Sequence, residues 1–132
     1  MLESASSWTR TSFGSNYDSY IRGDMVWTDG TNIYCSWMKN STDHYHFVYT
    51  SWLQAWTYKT WYGLTGFNGD NVWTDGTDIY SSVGTKHYVL DKATSTWSTK
   101  TWQGLSSFDG NKIWHDGDHV YYSSGTDQYE LT

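Results

Sequence analysis

The chain has 132 residues, a formal charge of −6, no Pro, and one-fifth of its positions are aromatic (ten Trp, twelve Tyr, four Phe). That length allows one small domain with little surplus core, and an acidic balance without a basic cluster lacks the electrostatic footprint of phosphate binding, so nucleic acid is not expected as a partner. A single cysteine, Cys35, closes no disulfide within the chain and reads as a small buried apolar residue, while no apolar run reaches the length of a signal core or a membrane span.

Residues 1–7 are too short and polar to be a leader. The stretch from Leu2 to Trp8 instead echoes Leu90 to Trp97 with one residue fewer, which makes it a linker belonging to a repeat. The repeat is plainest at Val26-Trp27-Thr28-Asp29-Gly30, Val72-Trp73-Thr74-Asp75-Gly76 and Ile113-Trp114-His115-Asp116-Gly117, whose Trp residues lie 46 and then 41 positions apart. Such a period marks an array of supersecondary units. The copies run over 8–55, 56–96 and 97–132.

Each copy carries four strand signals separated by turn residues. The first is Trp56 to Trp61, matched by Trp97 to Trp102 and more loosely by Trp8-Thr9-Arg10-Thr11-Ser12-Phe13. The second runs from Gly69 to Asp75 and joins a third, Asp78 to Ser82, through an Asp-Gly turn, because both residues tolerate the positive φ of tight hairpins. The fourth is Lys86 to Asp91. Copy one carries two extra residues between Trp8 and Trp27 and five more between Tyr34 and Phe47, both between strands, where insertions are tolerated. Scarce Leu and Ala together with abundant Trp and Tyr favour strand over helix.

The strands place large residues on both faces at once, as at Val72-Trp73, Ile79-Tyr80 and Tyr88-Val89-Leu90. That pattern predicts sheets covered on both sides. Small four-stranded sheets sandwiched between copies of themselves are propeller blades, with Trp and Tyr filling the wedges between them. The predicted blade core is Trp27, Trp73, Trp114, Tyr34, Tyr80, Tyr121, Trp56 and Trp97.

The stretch Ile79 to Gly84, then Tyr88-Val89-Leu90-Asp91 and Thr94 to Trp97, repeated at Val120 to Gly125 with Tyr129 to Leu131, resembles the kelch repeat of β-propellers. Ser81-Ser82 and Ser123-Ser124 stand where kelch repeats carry a double Gly. The resemblance implies an all-β propeller with inner strands starting near Gly23, Gly69 and Gly110 and outer strands starting near Trp56 and Trp97. It also implies closure by strand exchange between termini, with residues 8–13 supplying the outer strand of the last blade. Three blades are too few for a ring, since propellers have four to eight. Two chains give six, so a homodimer is expected, with the closure strand passing to the partner. The Trp-rich, Thr-Asp-Gly repeats are also similar to those of bacterial and phage surface proteins.

For chemistry, Asp29, Asp75 and Asp116 lie near Asn32, Asp78 and His119, but each loop offers too few oxygens for a calcium site, so turn formation explains them better. The His pairs 44/46 and 115/119 lack the further ligands of a zinc centre. Tyr34 and Cys35 are strand neighbours pointing to opposite faces, which rules out a cross-linked radical pair between them, and no nucleophile–base constellation is legible. No cofactor, metal or enzymatic activity is expected. Aromatics without a counterpart in the other copies (Tyr17, Tyr20, Trp37, Trp52, Tyr58, Tyr62) are the better candidates for recognition. The expected ligand contacts are Trp37, Lys39, Asn40, Tyr17, Tyr20, Tyr62 and Gln103, in a glycan- or protein-binding module, with a purely structural assembly as the alternative and a propeller-enzyme fragment after that.

Overall fold

The structure, a computed structural model, describes residues 7–11, 20–21, 25–38, 44–64, 67, 69 and 71–132, apart from the side chains of Trp37, Met38 and His44. It is all-β and antiparallel within its sheets. The first sheet is β1 (Val26–Thr28), β2 (Ile33–Met38), β3 (His44–Thr50) and β4 (Ala55–Tyr58), hydrogen-bonded in that order. The second repeats it with β5 (Val72–Thr74), β6 (Ile79–Val83), β7 (Lys86–Asp91) and β8 (Thr96–Thr99). A third sheet holds three strands among the described residues, β9 (Ile113–His115), β10 (Val120–Ser124) and β11 (Asp127–Glu130), after a single 3-10 turn at Gly110–Lys112.

Sequence identity between the copies becomes identity of register. Trp27 lies opposite Tyr34, Trp73 opposite Tyr80 and Trp114 opposite Tyr121. Ring centroids in these pairs are 4.7, 4.6 and 4.5 Å apart, a spacing at which aromatic contact adds to the burial of the rings. Nine residues after each Trp comes a Ser that accepts its indole N–H: Ser36 at 3.5 Å, Ser82 at 2.9 Å and Ser123 at 2.8 Å. A buried indole would otherwise forfeit that bond.

The strand expected over Trp56 to Trp61 ends earlier, at Tyr58. Trp61 leaves the sheet because its ring belongs to the neighbouring packing layer, 5.4 Å from Trp27 and 4.9 Å from Tyr34. Phe67 and Trp97 complete that layer, at 5.9 and 6.0 Å from Trp27. The next layer repeats the arrangement, with Trp102 at 5.5 Å and Phe108 at 6.1 Å from Trp73. A second cluster, Cys35, Phe47 and Trp56, fills the opposite face of the first sheet. Tyr34 and Cys35 therefore do point to opposite faces, each into its own core.

The inner strands begin later than Gly69 and Gly110, at Val72 and Ile113. Gly110 has a different task. A Cβ there would collide with the Asn71 carbonyl oxygen and come within 2.8 Å of Trp73 Cδ1, so the segment can approach the preceding sheet only as glycine. The third pair is less covered: Trp114 is 48% exposed, against 8% for both Trp27 and Trp73. Residues 8–11 form no strand with the third sheet of their own chain, Trp8 is fully exposed, and Ser12 and Phe13 lie outside the described residues.

Two substitutions test this packing. Trp73→Ala removes a ring packed against Tyr80, Trp102 and Phe108 and is expected to lower the unfolding free energy by about 3–5 kcal/mol, read from the denaturant midpoint. Gly110→Ala is expected to destabilise as well, with a clash rather than a cavity as the cause, so an unchanged midpoint in either variant contradicts the layer as described.

Candidate functional site

Alternation of strand direction gives the sheets two ends. The β1–β2, β5–β6 and β9–β10 turns and the outer β3–β4 and β7–β8 turns lie at one end; Lys92 of the β7–β8 turn accordingly reaches the Asp29 carbonyl of the β1–β2 turn at 3.3 Å. The β2–β3 and β6–β7 turns lie at the other end, with the connections between sheets. There the Gly84 N–H donates to Asp109 Oδ1 and the Phe108 N–H to the Gly84 carbonyl.

At the first end the Asp residues build turns. Asp75 Oδ1 accepts the N–H groups of Thr77 and Asp78 at 2.9 and 2.8 Å, and Oδ2 accepts the Tyr80 hydroxyl at 3.1 Å. Asp29 does the same with Thr31, Asn32 and Tyr34. The turns are four residues long rather than tight because this carboxylate, together with the Thr28 or Thr74 hydroxyl, supplies the closing bonds. Partial burial pushes both carboxyls up, but the accepted hydrogen bonds outweigh it and hold Asp29 and Asp75 below the usual carboxylate range. Burial, then the facing carboxylate, raises Tyr80. At the third turn His119 faces Asp116 at 3.3 Å instead of pairing with His115. Among the described residues no group of three or more His, Cys, Asp or Glu is arranged to hold a metal.

Among the described residues the candidate ligand positions do not gather at one end. Trp37 sits near the end of β2, at the second end, whereas Tyr62 and Gln103 occupy equivalent exposed places in the two connections, and the Tyr62 N–H donates to the Ser95 carbonyl of the β7–β8 turn, at the first end. Tyr20 is packed, stacked at 6.2 Å from both Tyr45 and Phe47, which ties it to the core of the first sheet. Tyr17, Lys39 and Asn40 lie outside the described residues. At the start of β7 the structure adds a groove absent from the sequence reading, lined by Lys86, His87, Lys100, Thr101, Trp102 and Ser106, whereas Gln103 lines a separate, apolar pocket. Its floor is firm: His87 Nε2 lies 2.8 Å from the Ser106 carbonyl, and Lys100 Nζ stands 4.6 Å over the Trp102 ring. The sequence signal was the recurrence of His46 and His87, with Lys59 and Lys100, at matching positions of two copies.

A second pocket, apolar, opens between the second and third sheets, walled by Trp73, Trp102, Phe108, Val120, Tyr129 and Leu131 among others. No protein-family model matches the chain, and neither a curated protein nor a solved structure matches it significantly. The fold and these surfaces define its class: an all-β protein of repeated antiparallel sheets with aromatic layers between them.

Depressed carboxyl pKa values make a pH prediction. Asp29 and Asp75 contribute stability that is complete above their unfolded value near 3.9 and is lost as pH falls through the lower folded value. The urea midpoint should therefore be flat from about pH 5 to 7 and fall below about pH 4. Asp75→Asn should shallow that acid limb, and Asp75→Ala should also cost about 1 kcal/mol at neutral pH through the lost turn bonds.

Proposed function

We propose that the chain is a non-enzymatic recognition module, a kelch-like propeller that works as a homodimer of six blades. Each sheet is one blade, and the incomplete cover over Trp114 is the observation that carries the reading. Two aromatic faces of the same design are closed within the chain and the third is half exposed, so the chain presents one half of an interface it has already built twice. Propellers of four to eight blades are reached most simply by two chains related by a two-fold axis. Burial of a third Trp–Tyr layer at each junction supplies the driving force.

In this reading the ligand surface is the end bearing the long β2–β3 insertion. Trp37, Lys39, Asn40 and Tyr17 come from the first repeat and the groove over Lys86, Lys100 and Ser106 from the second, while Tyr62, bonded to the β7–β8 turn, and Gln103, on the wall of the apolar pocket, stand apart from this surface. Exposed aromatic and amide groups beside hydroxyls and two ammonium groups suit a glycan or a polar protein surface. The opposite end is committed to turn formation by its Asp residues. A ring with no ligand, purely structural, is the second reading, and the absence of binding would favour it.

Light scattering at micromolar concentration is expected to give twice the chain mass, with a thermal midpoint that rises with protein concentration because folding and association are coupled. A single-chain mass overturns the ring. Glycan-array binding that falls at least ~10-fold on Trp37→Ala, with the fold intact, is the expected sign of recognition; unchanged binding removes Trp37 from the site.

A further inference from the structure

The apolar pocket between the second and third sheets has a filled counterpart one repeat earlier. Trp97, the outer-strand Trp of the second sheet, is almost completely buried. Its ring lies 6.0 Å from Trp27, 6.0 Å from Trp61 and 4.7 Å from Phe67. Leu64, Ile79 and Leu90 pack in the same cluster. Moving each residue to its equivalent in the next repeat turns the three rings into Trp73, Trp102 and Phe108, and the three aliphatics into Leu105, Val120 and Leu131. All six line the open pocket. The pocket therefore has the wall composition of an indole site.

Three residues occupy the outer-strand Trp position in the repeat: Trp8, Trp56 and Trp97. Trp56 and Trp97 are buried in their own clusters, whereas Trp8 is fully exposed. We infer that the pocket takes the Trp8 indole of a second copy of this chain, with residues 8–11 adding a fourth strand beside β11. This rests on the dimeric reading above and names its contact. Leu90 lies opposite Trp97 and Val89 opposite Ser98, so the transferred register sets Leu131 opposite Trp8 and Glu130 opposite Thr9. β11 is exposed along its whole length, as a receiving edge must be.

The backbone beside the pocket has the matching shape. At the closed junction Tyr62 pairs with Thr96 in a parallel bridge, through Tyr62 N–H to the Ser95 carbonyl at 3.0 Å and Trp97 N–H to the Tyr62 carbonyl at 2.8 Å. Gly63 follows with φ +83°, where a Cβ would collide with the Trp97 carbonyl oxygen. Gly104 follows Gln103 with φ +82°, yet a Cβ there would meet nothing within 4 Å. A backbone that only glycine adopts readily is thus kept where nothing in its own chain crowds it. In the proposed junction it faces the carbonyl of the incoming Trp8, and Gln103 bridges Ser7. The other end agrees: Lys92 of the second sheet's outer turn touches the Asp-Gly turn of the first sheet. The equivalent first-sheet turn exposes Trp52 and Leu53, in position to meet the Asp116–His119 turn of the second copy.

The test is a full-length Ser7→Cys, Gln103→Cys chain, oxidised and run without reductant, alongside each single variant. Bridged strands lie about 4.8 Å apart, within the ~4.4–6.8 Å between Cα atoms that disulfides span, and Cys35 is buried. The expected product is a covalent dimer of twice the chain mass that needs both cysteines. A disulfide closed within one chain overturns the inference in favour of the chain's own Trp8, and no disulfide overturns it outright. Light scattering of the same sample under reductant separates the two readings: a twofold mass without cross-linking leaves the dimer standing and removes this seat, and a single-chain mass removes both. Trp8→Ala should raise the dimer dissociation constant by at least ~30-fold, the scale of a buried hot-spot ring.

Discussion

The structure depends on one contact made repeatedly, the cross-strand Trp–Tyr pair of an inner hairpin covered by the rings of the following repeat. No sheet here buries that pair by itself. Trp27 and Tyr34 need Trp61, Phe67 and Trp97, all of which come from residues after the sheet is complete. Each repeat is therefore stable only as a neighbour, the defining property of modular arrays. Because the cover is aromatic and large, a small number of contacts replaces the many aliphatic ones that a Leu- and Ala-poor sequence lacks.

Polar chemistry fixes the geometry in which those rings meet. The indole N–H of each inner Trp points at a Ser on the next strand, two residues beyond its paired Tyr, and that Ser lies opposite His46, His87 or Gln128. His46 Nδ1 stands 3.0 Å from Ser36 Oγ, and the Ser123 hydroxyl donates to Gln128. A relay of this kind sets the tilt of the ring, since the bond is available in only one orientation. Meanwhile the Asp-Gly turns tie the hairpin tip to the Tyr hydroxyl, so both edges of the aromatic pair are anchored.

The sequence made the repeat, the strand order and the Trp–Tyr pairs legible because each was present three times. It made the Asp residues legible as turn formers because their Gly neighbours and short spacing leave few alternatives. It did not reveal that Trp61 and Trp102 leave their strands: local propensity favours continuing the strand, and only the uncovered ring of the preceding sheet draws them away. The Trp–Ser bonds were also visible in principle, as Ser at nine residues after each Trp, yet a Ser in a strand carries no signal until the indole that needs it is located. The proposed recognition residues were the least legible. Trp37 and Tyr62 stand out in the sequence only by not being repeated, which says nothing of what they touch.

Repetition also makes the chain's surfaces comparable with its interior, and this decides between two explanations of an exposed ring. Trp8, Trp52 and Trp114 are all exposed, and taken singly each is an ordinary candidate for a ligand platform. Compared across repeats they divide: Trp114 and Trp8 hold positions that are buried in the other copies, whereas Trp52 corresponds to Ala93 in an outer turn. A ring whose counterparts are buried by their neighbours is what the proposed dimer would cover, so in that proposal Trp8 and Trp114 are assigned to assembly. Exposure at a position with no buried counterpart carries no such history. The proposed recognition surface is therefore sought at the end of the sheets opposite the Asp-Gly turns, where the groove over Lys86, Lys100 and Ser106 opens.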